Sequence, residues 1–171
     1  MNIFYLDHDP YVAAQMHCDQ HVHKMLLETA QMLSTAHRMG PVVSIAGLYM
    51  PTHTNHPSNR WVRHSAETYG WTCELFRALC VEYRTRFGRV HMTERKLLKK
   101  LTSHRPPMQH TGWCDPPQCM PDQYKSDDTV QAYRDFYIHD KSSFARWNRG
   151  VSAPQWFAAA TTQRLFARST G

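Results

Sequence analysis

No apolar stretch of this chain runs far before a charge, a histidine or a glutamine breaks it, which excludes a transmembrane helix of about 20 consecutive apolar residues. No membrane partner is therefore expected. The first seven residues, Met1-Asn2-Ile3-Phe4-Tyr5-Leu6-Asp7, lack the basic start of a secretory signal and meet an acid at once, so a cytoplasmic product is expected. Lysine and arginine form no block of the kind found in disordered tails, so any basic surface has to be assembled by folding. Phosphate-binding and nucleic-acid signatures are missing: there is no P-loop, glycine-rich dinucleotide fingerprint, RRM, KH or zinc-finger pattern, and no HExxH. Cysteine is scarce and odd in number. The five residues Cys18, Cys73, Cys80, Cys114 and Cys119 argue against a disulfide framework in a chain read as intracellular. Cys73 and Cys80 fall in an amphipathic pattern as small core residues, while Cys114 and Cys119 have only a weakly metal-like spacing.

What is present describes one folded domain. The 171 residues suffice for one core, and 42% hydrophobic with 20% charged residues is a globular balance. Twenty Lys and Arg outweigh fourteen Asp and Glu, a net charge of +6 before any of the twelve histidines is protonated. That excess favours a polyanionic partner, either nucleic acid or a phosphorylated ligand.

The pattern is helical almost throughout and predicts an all-α single domain over 1–171, with the apolar stretch 3–6 as a minor strand or an extended arm. Asp9-Pro10 reads as an N-cap followed by proline at the first helical position. Val12, Met16, Val22, Met25, Leu26, Met32 and Leu33 keep a helical period over 11–38, stopped by Gly40-Pro41. Residues 40–54 read as a loop. A second helix is expected over 58–87, stopped by Gly88; Gly70 inside it costs propensity or permits close helix approach. Thr93 is the expected cap of a basic helix through Leu101. The prolines at 106, 107, 116, 117 and 121 mark 103–125 as a long loop, and loops of that length are often functional. Asp127 or Asp128 is expected to start a helix through Trp147. Ser152 with Gln155 then reads as a capping box for a last helix containing Trp156, Phe157 and Leu165.

On the first helix, His17, His21, Lys24, Glu28, Gln31 and Ser34 or Thr35 recur three or four residues apart and share a face. Three readings fit this polar stripe. It is a solvent face with a Lys24–Glu28 pair, a ligand-binding face, or a metal pair at His17 and His21 with Asp19 or Glu28 as carboxylate ligand. His53, Asn55 and His56 precede Pro57, where a helix entrance exposes unpaired N–H groups suited to phosphate. Arg60, Arg63 and His64 follow, and the competing reading is a simple cap by Thr54 or Asn55. Tyr133, Arg134, Tyr137, Lys141, Phe144, Arg146 and Trp147 interleave aromatics with cations. That mixture suits base stacking beside phosphates and equally suits an amphipathic helix burying its rings.

Several blocks together resemble a family. They are Leu6-Asp7 with Asp9-Pro10, His17-Cys18-Asp19 with His21 and Lys24-Met25, and the run from Leu27-Glu28-Thr29 to Ala36-His37-Arg38. Further on come Thr52-His53 with Asn55-His56-Pro57, Pro117-Gln118 with Met120-Pro121-Asp122 and Tyr124-Lys125, and Ala132-Tyr133-Arg134 with Tyr137 and Ala145-Arg146-Trp147. Spread over nearly the whole chain, they resemble the small helical bacteriophage proteins linked to thymine hypermodification, the amino acid:DNA transferases. The resemblance implies action in the bacterial host cytoplasm on phage DNA carrying a pyrophosphate-activated 5-hydroxymethyluracil. A free amino acid or amine would displace the leaving group, with no cofactor required. Mapped onto this sequence, the reaction makes His17 or His21 the acceptor of the amine proton and Glu28 the group that orients it or binds the ammonium. His53, His56, Arg60 or Lys125 would bind the leaving group, and Asp122 or Arg134 the substrate's polar ends; Lys24, Gln31 and Asn55 complete the binding set. His17, His21, Lys24, Glu28, His53 and His56 are expected to converge, with the loop over 106–121 beside them. The competing functions are a metal-dependent hydrolase or nuclease using His17 and His21, for which a divalent metal would be needed, and a non-enzymatic module binding nucleic acid or a host protein.

Overall fold

The computed structural model describes residues 1–40 and 46–169. The helices are α1 (Pro10–Met16), α2 (Asp19–Met39), α3 (Pro57–Val62), α4 (Ala66–Phe87), α5 (Met92–Ser103), α6 (Thr129–Phe136) and α7 (Gln155–Ser169), with a 3-10 turn at Asp122–Tyr124 and a π turn at Tyr137–Lys141. Among the described residues there is no β-strand, and the chain forms one compact all-α domain, as its periodicity predicts. Helices α2 and α4 pack along each other, α1 lies on α4, and α5 bears on both. Pro41, part of the expected helix stop, and 42–45 of the expected loop lie outside the described residues, as does the side chain of Leu165.

The stretch 3–6 is an arm and not a strand. Ile3, Phe4, Tyr5 and Leu6 are all buried, and Phe4 adopts a φ of 50°, a left-handed conformation uncommon for a side chain this large. The Phe4 ring stacks on His21 with centroids 4.4 Å apart and meets Tyr133, Phe136 and Tyr137, so the arm fills the space between α2 and α6.

Asp9 and Pro10 start α1 as expected, the Asp9 carboxylate accepting from the Tyr11 and Val12 amides at 2.7 and 3.2 Å. The single helix expected over 11–38 is nevertheless two, broken at His17 and Cys18. No proline or glycine marks the break; its cause is tertiary. The enclosed Arg86 guanidinium of α4 donates to the carbonyls of His17 and Gln15, each at 2.7 Å, and pairs with Asp19 and Glu82. The Cys18 amide donates to the Tyr137 hydroxyl at 3.2 Å. Backbone groups released from the helical ladder thus find new partners.

The helix expected over 58–87 also divides, at 63–65, because Ser65 caps α4 afresh in a capping box with Thr68. Its far end closes on Gly88 in the left-handed conformation, φ 64°, as predicted. Among the described residues only the Arg105 guanidinium comes within 4 Å of the Cβ position at Gly70, and no other helix does, so close helix packing is not its reason. His91 rather than Thr93 caps α5, its Nδ1 accepting from the Thr93 amide. Asp128 caps α6 through the Gln131 amide. That helix does not reach Trp147: it gives way at Phe136 to the π turn, which leaves Tyr137 fully buried. The carbonyl of Pro154 heads α7, accepting from Phe157 and Ala158, in place of a Ser152–Gln155 box.

The long loop is strapped across the molecule. The Gln109 carbonyl accepts from the Ala66 amide at 2.9 Å, Cys114 from the Trp61 indole at 2.9 Å, and Pro117 from the Tyr133 hydroxyl at 2.7 Å.

Candidate functional site

The polar stripe of the first helix separates into a buried half and an open half. His17 is wholly enclosed, its Nδ1–H donating to the Ala13 carbonyl at 2.6 Å. His21, 3% exposed, has its Nδ1 2.5 Å from the Tyr137 hydroxyl. Burial, and for His17 the nearby Arg86 charge, pushes these imidazoles down to about 4 and about 3, so both are neutral near pH 7. Packed under Phe4, they reach no substrate in this conformation. Both rings, expected to carry the amine proton, anchor the arm through Phe4, which stacks on His21 and meets His17 edge-on.

The carboxylates named with the metal reading have other partners. Asp19 is taken by Arg86 and by the Asn148 amide at 2.8 Å, and Glu28 faces Lys24 at 3.7 Å. Among the described residues no group of three or more His, Cys, Asp and Glu side chains is placed to hold a metal ion. Nor do the interleaved residues of 133–147 form a stacking surface. Tyr133 and Tyr137 are fully buried, and Phe144 and Trp147 are half-buried against the core.

The open half of the stripe meets the arm, which is bonded in turn to the long loop beside the entrance to α3. Glu28, half-buried, accepts from the Asn2 amide at 3.3 Å and lies 3.8 Å from the Met1 amino group. Asn2 makes the link: its side chain donates to the Cys119 carbonyl at 2.9 Å and accepts from the Tyr133 hydroxyl at 2.8 Å. Cys119 Sγ is 3.5 Å from the Ser58 hydroxyl at the start of α3. His56, and not Thr54 or Asn55, caps that helix by accepting the Ser58 amide on Nδ1 at 3.2 Å. Because that amide can only donate, the neutral imidazole carries its proton on Nε2 and presents it as a donor. Desolvation first, then the Met1 amino group and His53, hold His56 below the usual histidine range, against the opposing pull of Glu28. His53 is exposed in a left-handed conformation, φ 49°, with its Nδ1 2.8 Å from the Thr52 hydroxyl. Gln31 follows one turn beyond Glu28, half-buried.

At the same helix entrance a cleft of about 450 Å³ is lined by Asn55, Arg60, Trp61, His64, Asp115 and Pro117, among others. Arg60 is exposed there, and its side chain has no hydrogen-bond or ion-pair partner among the described residues. The structure therefore brings Lys24, Glu28, His53 and His56 into one neighbourhood, with Asn55 and Arg60 next to it and the 117–119 end of the loop forming a wall.

Other expected residues lie elsewhere. Asp122 and Lys125 pair with each other at 2.7 Å on the outside of the 3-10 turn. Arg134 lines a separate cleft of about 550 Å³ with Val12, Met16 and Trp156, and is already bonded to the Leu6 carbonyl at 2.9 Å and the Asp7 carboxylate at 3.2 Å. Sequence reasoning missed Asn2 and Ser58. Neither carries a periodic or spacing signal, since both act through contacts made only after the arm and loop have folded over α2 and α3.

Comparison of the chain with protein-family models, curated proteins and solved structures returns no match.

Proposed function

We propose that the protein is a DNA base-modifying transferase that attaches an amino acid or amine to pyrophosphate-activated 5-hydroxymethyluracil in phage DNA. The observation that carries this reading is Glu28, paired with Lys24 at 3.7 Å and near enough to His56 for its charge to act on that imidazole, with the Arg60 cleft at the same helix entrance. The sequence resemblance points the same way. In the reaction, the amine nitrogen bonds to the C5 methylene carbon while the bond from that carbon to the pyrophosphate oxygen breaks, and pyrophosphate leaves with the electron pair. Glu28 binds the incoming ammonium and accepts its proton. His56, as a neutral donor, and Arg60, as an unpaired cation, stabilise the charge that grows on the leaving group. Lys24 lies 3.7 Å from Glu28 and orients its carboxylate. His17 and His21 position the arm whose Asn2 orients Glu28.

The test is mass spectrometry of nucleosides after incubation with pyrophosphorylated hydroxymethyluracil DNA, mixed amino acids and polyamines, with and without chelator. A new base–amine adduct is expected under both conditions. Glu28→Gln should lower the rate of transfer about a hundred-fold with the fold retained, within the range of general-base contributions. Verified activated DNA that yields no adduct with any donor would defeat the proposal, and adduct formation lost only on chelation would move the chemistry to a metal-dependent site.

A further inference from the structure

The Arg60 cleft does not end at its own rim. His64 also lines a second cleft of about 340 Å³, bounded by Met39, Arg63, Pro106, Pro107 and Gln109, so the two meet at the corner between α3 and α4. Cations follow this path. Arg60 and His64 are exposed, and neither side chain has a hydrogen-bond or ion-pair partner among the described residues. Arg63 spends its donors on backbone carbonyls of Asn59 and Thr54, which leaves its charge uncompensated by any acid. Arg105, exposed and next in the chain to Pro106, lies across α4 with its guanidinium 3.6 Å from the Cβ position of Gly70. The acids nearby are engaged: Asp115 accepts from the Trp113 indole at 3.0 Å, and Glu67 faces His110 at 2.8 Å.

An aromatic surface stands at the other end. Trp61 forms the floor of the first cleft, and Trp113 packs edge-on against it with centroids 5.6 Å apart while remaining 44% exposed. In a duplex the base faces are hidden by stacking, whereas an unpaired base offers its face to an indole and its phosphates to arginines.

We infer that the two clefts joined at His64 are one path for a single-stranded stretch of nucleic acid, with a base on Trp113 and phosphates along Arg60, His64, Arg63 and Arg105. The inference rests on the reading that nucleic acid is the substrate, and narrows it to an unpaired strand or a locally opened duplex. Such a strand passes Asn55, next in the chain to His56, and Pro117, two residues before the Cys119 whose carbonyl accepts from Asn2, the residue bonded to Glu28, so an extruded base is directed to that side.

Fluorescence anisotropy of the full chain with unmodified thymidine-rich oligonucleotides tests this without any transfer step, in single-stranded DNA, duplex DNA and single-stranded RNA arms. Single-stranded DNA should bind at least about ten-fold more tightly than the duplex and quench tryptophan emission. Trp113→Ala should weaken single-strand binding about ten-fold. Arg60→Ala and Arg105→Ala should each reduce the slope of log affinity against log salt by about 0.7. All three positions are exposed, and unchanged thermal unfolding verifies the fold of each variant. Duplex binding as tight as single-strand binding, wild-type affinity in Trp113→Ala, tighter binding of RNA than of DNA, or equal competition by polyglutamate would overturn the inference. Tight single-strand binding without adduct formation defeats the transferase and leaves the path standing, while adducts formed on duplex with no single-strand preference do the reverse.

Discussion

Arg86 shows how one side chain can decide the course of a backbone. Its guanidinium is enclosed and bonded to the carbonyls of Gln15 and His17 and to the carboxylates of Asp19 and Glu82, so it closes the break between α1 and α2. Replacing it by Ala leaves buried acceptors and two carboxylates without a cation and should cost about 3–5 kcal/mol in chemical denaturation. Arg86→Lys should recover little, because an ammonium lacks the planar fork that reaches four acceptors at once; a lysine variant as stable as the native chain would contradict this account. The histidines beside it set the response to acid. Unfolded, His17 and His21 take up protons as the pH falls through about 6.5, whereas burial holds their native values near 4 and 3. The stability they contribute is therefore complete above pH 6.5 and is lost progressively as the pH drops toward the native values, by up to about 1.4 kcal/mol per pH unit for each proton. His21→Gln should flatten the fall of unfolding free energy between roughly pH 6 and pH 4.5 relative to the native chain. Equal slopes would mean that the ring is not held neutral by the fold.

At the scale of elements, helix content was legible and helix boundaries were legible only where a local residue sets them. Asp9 with Pro10, Gly88 and Asp128 act through their own side chains or φ angles, and the structure uses each of them, whereas the Ser65 capping box, equally local, divides a helix expected to run unbroken over 58–87. The break at His17 and the end of α6 depend on Arg86 and on the buried Tyr137 hydroxyl, partners 69 and 119 residues away, which no window of sequence contains. Gly70 belongs to the first kind, with a consequence of its own. A Cβ there would meet only the tip of Arg105 at 3.6 Å, an ordinary contact, within a helix whose backbone Ala prefers. Gly70→Ala should raise the unfolding free energy by about 0.5–1 kcal/mol. A loss of stability on thermal denaturation would show that close packing at this position had been missed.

For the molecule as a whole, the arm and the long loop decide which of the chemically suggestive residues become accessible. Lys24, Glu28, His53 and His56 were legible as a group because a helix face and a helix entrance have sequence signatures, whereas the burial of His17 and His21 follows from Phe4, placed over them by an arm with no periodic pattern. The same enclosure sorts the five cysteines, and their chemistry reads it out. Cys114 is exposed, Cys119 is half-buried against Ser58, and Cys18, Cys73 and Cys80 are buried. Burial also pushes the Cys73 thiol up to about 11 and raises that of Cys80, which keeps the nucleophilic thiolate scarce at neutral pH. With an excess of a disulfide reagent, the native protein should release one equivalent quickly and a second slowly, and the remaining three only at the rate of global unfolding. Cys114→Ser should abolish the fast phase and leave the other two unchanged. If strands of nucleic acid lie where Asn55 and Pro117 line the cleft, a thymidine-rich oligonucleotide should also slow the Cys114 phase, because that residue borders the same space. Three fast equivalents in the native protein would mean that the arm does not seal the core as described.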